Sequence, residues 1–222
     1  MGNPHLKFCP SNEGTALPLR QGEILSGLIQ LEADISGLED VDIRDSALAG
    51  SKISAATIPT EHPFAIVVSH ECDLEQDFNN QPCSDYKVNQ ELPNILLCEV
   101  VDAYLFEHDP NYEDILQRKT DSSAKKNFRS NKDSRYHFIE QIPPDYDSLG
   151  QGIPALAVIF KRHFTIPSQA IYRQIEMNWA TRRTRLKGPY VDDLCNRFHH
   201  FNGRIALPEQ FDNSRPKKFD SS

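Results

Sequence analysis

No apolar run in these 222 residues approaches the ~20 that a membrane-spanning helix needs, so no membrane segment is expected. Met1 to Pro10 lack a basic stretch followed by an apolar one, so a secretory signal is not expected either. The five cysteines (Cys9, Cys72, Cys83, Cys98, Cys195) form an odd, irregular set without a Cys-x-x-Cys pair. That argues against a disulfide framework and predicts reduced thiols in a cytoplasmic protein. Apolar residues make up only 38%, which leaves room for an ordinary core but requires long surface loops. There is no internal repeat and no regular alternation of strand and helix patterns. Positive charge is scarce at the front: residues 1–113 carry 5 Lys/Arg against 20 Asp/Glu, and residues 114–222 carry 19 against 12. The net −8 therefore hides an acidic front of −15 and a basic back of +7. Either the two halves complement each other within the fold, or the basic one presents a face to nucleic acid or an acidic protein.

Strand signals are clear in four places. Gln21 to Ile29 is a first strand, and Phe64-Ala65-Ile66-Val67-Val68, behind Pro63, reads as a strand buried on both faces. Asn94 to Tyr104 is nearly continuous and apolar, and Ala155 to Phe160 runs on into Lys161 to Ile166. Tyr136 and Phe138 alternate with polar neighbours in a shorter one, and Val41 with Ile43 permits another. Residues 75–91 read as polar turn chemistry, and Asn111 to Lys119 as a short helix. Lys119 to Arg135 reads as a mobile basic loop. Residues 169–187 predict one helix with a basic end, with Ser168 as its N-cap or a turn. A second helix opens at Gly188-Pro189, carries the stripe Tyr190, Leu194, Phe198, Phe201, and stops at Asn202-Gly203. The lone Trp179 is expected to anchor helix against sheet.

Chemistry concentrates in Ser69-His70-Glu71-Cys72-Asp73, directly after the second strand. Cys72 with His70 could form a nucleophile and its base. His70 and Cys72 could instead join Cys83, or Cys195 and His199, around zinc, although the spacing is irregular. In the plainest reading Cys72 is buried, Asp73 caps the turn, and Ser69 and His70 satisfy backbone groups at the strand end. Cys98, in mid-strand, belongs to the core. Lys125, Lys126, Arg129, Lys132 and Arg135 are interleaved with Ser, Asn, Phe128 and Tyr136. Cations for phosphate and aromatics for stacking are what single-stranded nucleic acid uses; a merely solvated loop has the same composition.

The order of these elements resembles the MazF/PemK-type toxins. Gly22-Glu23-Ile24-Leu25 is similar to that family's Gly-Asp-Ile/Val opening. His62-Pro63-Phe64-Ala65-Ile66-Val67-Val68-Ser69 is similar to its Arg-Pro-aliphatic-Val-Leu-Ser strand, and Ile95 to Val101 to its third core strand. Ala157 to Ile166 resembles its late strand. The resemblance spans residues 19–175 and implies a mainly β (α+β) fold: an SH3-like small antiparallel β-barrel with insertions at 30–57 and 107–134. An extended arm (1–18) would precede it, and a C-terminal helical extension (176–212) and a disordered tail (213–222) would follow.

The family cleaves single-stranded RNA without a metal. Its catalytic Arg falls at His62, however, and its Ser/Thr near Asp102. The resemblance thus implies a regulatory protein- or RNA-binding module of a toxin–antitoxin or defence-type system. The alternative is a divergent metal-independent endoribonuclease with His62, Ser69 and His70 lining its groove. In both readings Lys125, Lys126, Arg129, Lys132 and Arg135 hold RNA or a partner. No cofactor or metal is expected, the weak metal candidates being His70 and Cys72. The partners are a protein, single-stranded RNA, or a second copy in a homodimer.

Overall fold

A computed structural model describes residues 7–11, 17–34, 56–80, 92–110, 112 and 122–203. Seven strands form one antiparallel sheet: β1 (Phe8–Pro10), β2 (Glu23–Ala33), β3 (Thr57–Val67), β4 (Asn94–Asp102), β5 (Tyr136–Ile139), β6 (Leu156–Pro167) and β7 (Thr181–Leu186). Their order is β1-β7-β2-β3-β4-β6-β5. Among the described residues the helices are α1 (Glu71–Asn80), α2 (Ala103–His108), α3 (Ser122–Arg129), α4 (Ser168–Glu176) and α5 (Gly188–Asn202), with a 3₁₀ turn at Pro144–Tyr146. The expected α+β, mainly β class is what the chain forms. The sheet is open, however: among the described residues β1 and β5 end the order, so no closed barrel results.

The apolar strands are buried on both faces, as continuous hydrophobic runs require. One face sets Ile24, Ile66, Val68, Cys98, Val100, Val158 and Phe160 against Leu194 and Phe198 of α5. Tyr190 and Phe201 flank them, so the four-residue stripe predicted for this helix packs as a unit. The other face sets Leu25, Leu28, Ala65, Val67, Ile95 and Leu97 against Leu74 of α1 and Ile171, Tyr172 and Ile175 of α4. A third cluster, where β4, β5 and β6 end, joins Val101, Ala157 and Ile159 to Phe106 of α2, Phe128 of α3 and Tyr136.

Several elements differ from the expectation. Residues 71–80, at the start of the expected polar turn, are helix; the rest of that stretch, 81–91, lies outside the described residues, as do Val41 with Ile43, nearly all of the 111–119 helix and the 213–222 tail. Residues 122–129 form a helix rather than a loop. The helix expected over 169–187 ends at Glu176, and Thr181 to Leu186 is a strand in the interior of the sheet, between β1 and β2. Both the supposed arm and the supposed helical extension thus contribute strands. Trp179, between α4 and β7, is 54% exposed rather than buried between helix and sheet. Ser168 makes no side-chain cap; its hydroxyl donates to the buried carboxylate of Asp77, joining α4 to α1.

β7 can be a buried strand although it reads Thr-Arg-Arg-Thr-Arg-Leu. A bulge between β2 and β7 pairs Ile24 with Thr184 and Leu25 with Arg182, leaving Arg183 as the extra residue. Arg182 donates from Nε and Nη2 to Glu23 at 2.6 and 2.9 Å, and to the carbonyls of Leu17 and Pro18. Ser11 and the Arg20 backbone N–H also donate to Glu23. Arg183 donates to both oxygens of Asp147, at 2.7 and 2.8 Å, which hold that carboxyl below its usual range despite burial. Gly22 (φ +76) and Gly27 (φ +72) permit the close approaches here; a Cβ would lie 2.6 Å from Val191 Cγ2 and 2.6 Å from the Trp179 carbonyl oxygen, respectively.

The β5 edge is closed by a side chain. Asn131, at φ 55, accepts from Phe138 N–H and donates to Phe138 C=O through its amide, at 2.6 and 3.1 Å. Arg197 of α5 donates to the carbonyls of Asn131, Asp133 and Tyr136, which holds this loop in place.

Candidate nucleic-acid interface

At the end of β4 the chain turns into α2. Asp102, where the resemblance places a Ser/Thr, caps that helix by accepting from the N–H of Tyr104 and Leu105 at 2.6 and 3.2 Å. Phe106 and Glu107 turn inward. Tyr104 and His108, one turn apart, turn outward and stack with centroids 4.3 Å apart; Tyr104 is 69% exposed. His108 Nδ1–H donates to the Tyr104 carbonyl at 2.8 Å, which leaves Nε2 to accept from Lys125 Nζ at 3.2 Å. Helix α3 buries Phe128, 4.8 Å from Phe106, and holds Lys125 and Lys126 outward beside this stack. The groove between α2 and α3, about 490 Å³, is lined by His108, Ser122, Lys125, Lys126 and Arg129 among others.

The five predicted cations divide. Arg129 is bidentate to buried Glu107 at 2.7 and 2.6 Å, and this hydrogen-bonded pairing raises its pKa. Arg135 is bidentate to Asp133 and lies over Tyr136 at 5.3 Å. Lys126 and Lys132 are exposed, and Lys125 is half-buried against His108. The acidic front and basic back meet inside the fold: Glu23 pairs with Arg182, Glu99 with Arg162 and Glu107 with Arg129. Part of the apparent charge division is thereby spent on pairs within the fold, while Lys126 and Lys132 face outward in the α3 region.

His62, Ser69 and His70 do not converge. His62 is buried on β3, stacked on Phe164 at 3.8 Å with Nε2 against Gln30 Oε1 at 3.1 Å. Burial lowers its pKa, partly offset by Glu99 and Glu32 and reinforced by Arg162. Ser69 lies seven residues on, about 20 Å at strand spacing. Its hydroxyl accepts from Leu96 N–H at 2.8 Å, so it closes the strand end. His70 is exposed and stacks on His199 of α5 at 5.4 Å. What stands near His62 instead is the Glu99–Arg162 pair, 2.6 Å apart, with Tyr112 close enough to feel both charges; burial and Glu99 raise that phenol.

Cys72 is exposed rather than buried, with its thiol 3.6 Å from Asp73. Cys83 lies outside the described residues. Cys98 is buried as expected and Cys195 is buried on α5; burial raises both thiols, Cys195 to about 11. Among the described residues no group of His, Cys, Asp and Glu is spaced to hold a metal ion, and no helix is long and apolar enough to cross a membrane.

No family model, curated protein or solved structure matches the chain.

Tyr104, His108, Glu99 and Arg162 escaped the sequence reading. Tyr104 closed what read as a buried strand. Its outward position follows from the Asp102 cap, which turns strand into helix two residues earlier. The signal was Asp102 itself, an Asx residue at the end of an apolar run.

Proposed function

We propose that the chain is a binding module for single-stranded RNA, seated on the α2–α3 face. The observation that carries this reading is an exposed tyrosine, stacked on a histidine that itself receives a lysine. Base stacking on the Tyr104 ring and phosphate contact by Lys125 and Lys126 are the two contributions single strands use, and neither demands a particular sequence. The resemblance of residues 19–175 to MazF/PemK-type toxins, with His62 where that family has its catalytic arginine, is the ground for extending the proposal to a toxin–antitoxin or defence-type system. Filter binding of a twelve-nucleotide single-stranded RNA, beside a duplex of the same sequence, tests it. Tyr104→Ala should weaken single-strand binding by about 1–3 kcal/mol and leave the melting temperature in place. Equal affinity of wild type and variant would remove this site.

A second reading rests on Glu99 and Arg162 beside His62: metal-independent RNA cleavage. His62, held neutral by burial, would take the 2′-hydroxyl proton as that oxygen attacks phosphorus, water would protonate the departing 5′-oxygen, and Arg162, held by Glu99, would bind the phosphate. Long single-stranded RNA left intact over hours in EDTA, at high enzyme excess, would remove it. Cleavage that persists in both Glu99→Gln and His62→Ala would remove these roles.

A further inference from the structure

His137 of β5 is buried, its side chain only 7% exposed, and its Nδ1 has no hydrogen-bond partner. A buried, unpaired ring nitrogen costs about 1–3 kcal/mol, so a native fold that keeps one calls for an explanation. Nδ1 lies 3.9 Å from Asp193 Oδ2 of α5, too far for a hydrogen bond. Burial and the Arg197 charge hold the imidazole neutral, with its pKa lowered to about 3, so the two groups are not an ion pair. Both line a cavity of about 200 Å³, walled by Phe8, Phe138 and Tyr190. Lys7 reaches its rim, bonded to Glu140 at 2.8 Å and 5.4 Å over the Tyr190 ring. Drug-sized ligands fill roughly 300–1,000 Å³, so this space suits a single planar ring system.

Arg129 lines both this cavity and the α2–α3 groove. Arg129 thus joins the wall of the groove to the wall of the cavity, so a strand held by Lys125 and Lys126 would meet the cavity by way of Arg129. We infer that the cavity receives one unstacked base of that strand and that the base is guanine, a reading that rests on the strand-binding role proposed above. The chemistry is in the order of groups. Guanine's Watson–Crick edge presents an acceptor, O6, and then two adjacent N–H donors, N1 and N2. The protein presents a ring nitrogen that can donate, as the Nδ1–H tautomer, and beside it a carboxylate with two accepting oxygens. Adenine and cytosine each offer a single donor position next to an acceptor. Uracil offers one N–H between two acceptors. Only guanine occupies both carboxylate oxygens and the imidazole together. Aromatic walls suit the base, and Lys7 and Arg129 suit its phosphate at the rim.

The test uses the full chain and a uridine-only dodecamer, compared with dodecamers carrying one central guanosine, inosine or adenosine. Inosine keeps O6 and N1–H but lacks the N2 amine. In parallel, the His137 imidazole is followed by NMR during titration with 5′-GMP. The expected results are roughly 10-fold tighter binding of the guanosine strand, an intermediate inosine strand, and a 5′-GMP-dependent shift of His137. Asp193 is 59% exposed, so Asp193→Asn should fold; it should abolish the guanosine preference and leave uridine-strand affinity and its salt dependence unchanged. Equal binding of all four strands with no effect of 5′-GMP on His137 would overturn the cavity while leaving the groove. If no strand binds, yet 5′-GMP shifts His137 in the wild type and not in Asp193→Asn, the groove reading falls and the cavity stands. If neither strand nor nucleotide binds, both fall.

Discussion

Glu23 and Arg182 are 159 positions apart in the chain and meet through two hydrogen bonds, at 2.6 and 2.9 Å, with both side chains sealed from solvent. The remaining donors of that guanidinium reach the carbonyls of Leu17 and Pro18, so one pair fixes both the place of β7 in the sheet and the segment leading into β2. Arg182→Met alone leaves a buried carboxylate without its partner and should cost about 3–5 kcal/mol. Glu23→Leu combined with Arg182→Met removes both charges and should recover much of that loss. Urea unfolding of the single and double variants measures the difference; a double variant no more stable than the single one would contradict it.

On the α3 face, charge and stability separate. Lys125→Ala with Lys126→Ala should lower the slope of log affinity against log salt by about 1.4, at roughly 0.7 per phosphate contact. The melting temperature should move little, since Lys126 is exposed and half-buried Lys125 gives up one surface hydrogen bond, to His108. Arg129→Ala should behave differently, because Glu107 is buried and loses its bidentate partner. With the arginine itself 60% exposed, solvent screening reduces the expected cost to about 1–2 kcal/mol, read by thermal melting.

His137 makes acid destabilising. Its folded-state pKa of about 3 lies below the ordinary 6.5, so between these values the unfolded chain takes up a proton that the native state refuses. Stability is complete above pH 6.5 and falls as the pH drops toward 3, by about 2 kcal/mol at pH 5. The charges around the ring are Arg197 and Asp193 on α5, Lys7 beside β1, Glu140 after β5 and Arg129 on α3. His62, also lowered by burial, adds a contribution of the same sign. Denaturant melts at pH 5 and pH 7 should differ by less in His137→Gln than in the wild type; an unchanged difference would mean the imidazole is already charged in the folded protein.

Gly27→Ala tests the contact between β2 and the α4–β7 turn. The new methyl would meet a backbone oxygen at 2.6 Å, which cannot move aside as a side chain can. The positive φ adds strain, so the loss should exceed about 1 kcal/mol by urea unfolding.

What could be read from the residues was whatever a local pattern records. Ile95 to Val101 and Phe64 to Val68 announced buried strands through unbroken apolar runs, and Tyr190, Leu194, Phe198 and Phe201 announced the inward face of α5. β7 gave no such sign. Its buried arginines are solvated by Glu23 and Asp147, and the partner of Arg182 lies on a distant strand, so the stretch looked like the basic end of a helix. Helix α1 has only Leu74 and Phe78 as its apolar stripe, and α3 little beyond Phe128, so both resembled loops. For the site, the lysines were legible as composition. Tyr104 was not, because its exposure depends on the helix that Asp102 starts, and neither was the meeting of His137 with Asp193, which long-range packing alone creates.

Asn131 gives the sheet an ending. An exposed strand edge is a template on which another chain can add itself, and unlimited addition is how fibrils grow. Here one amide side chain occupies the Phe138 N–H and C=O that an incoming strand would need, and Arg197 takes the Tyr136 carbonyl. One asparagine thus acts as a one-residue eighth strand that cannot be extended further. A second copy docking along β5 would first have to displace that side chain, so growth of the sheet by strand addition stops at this margin.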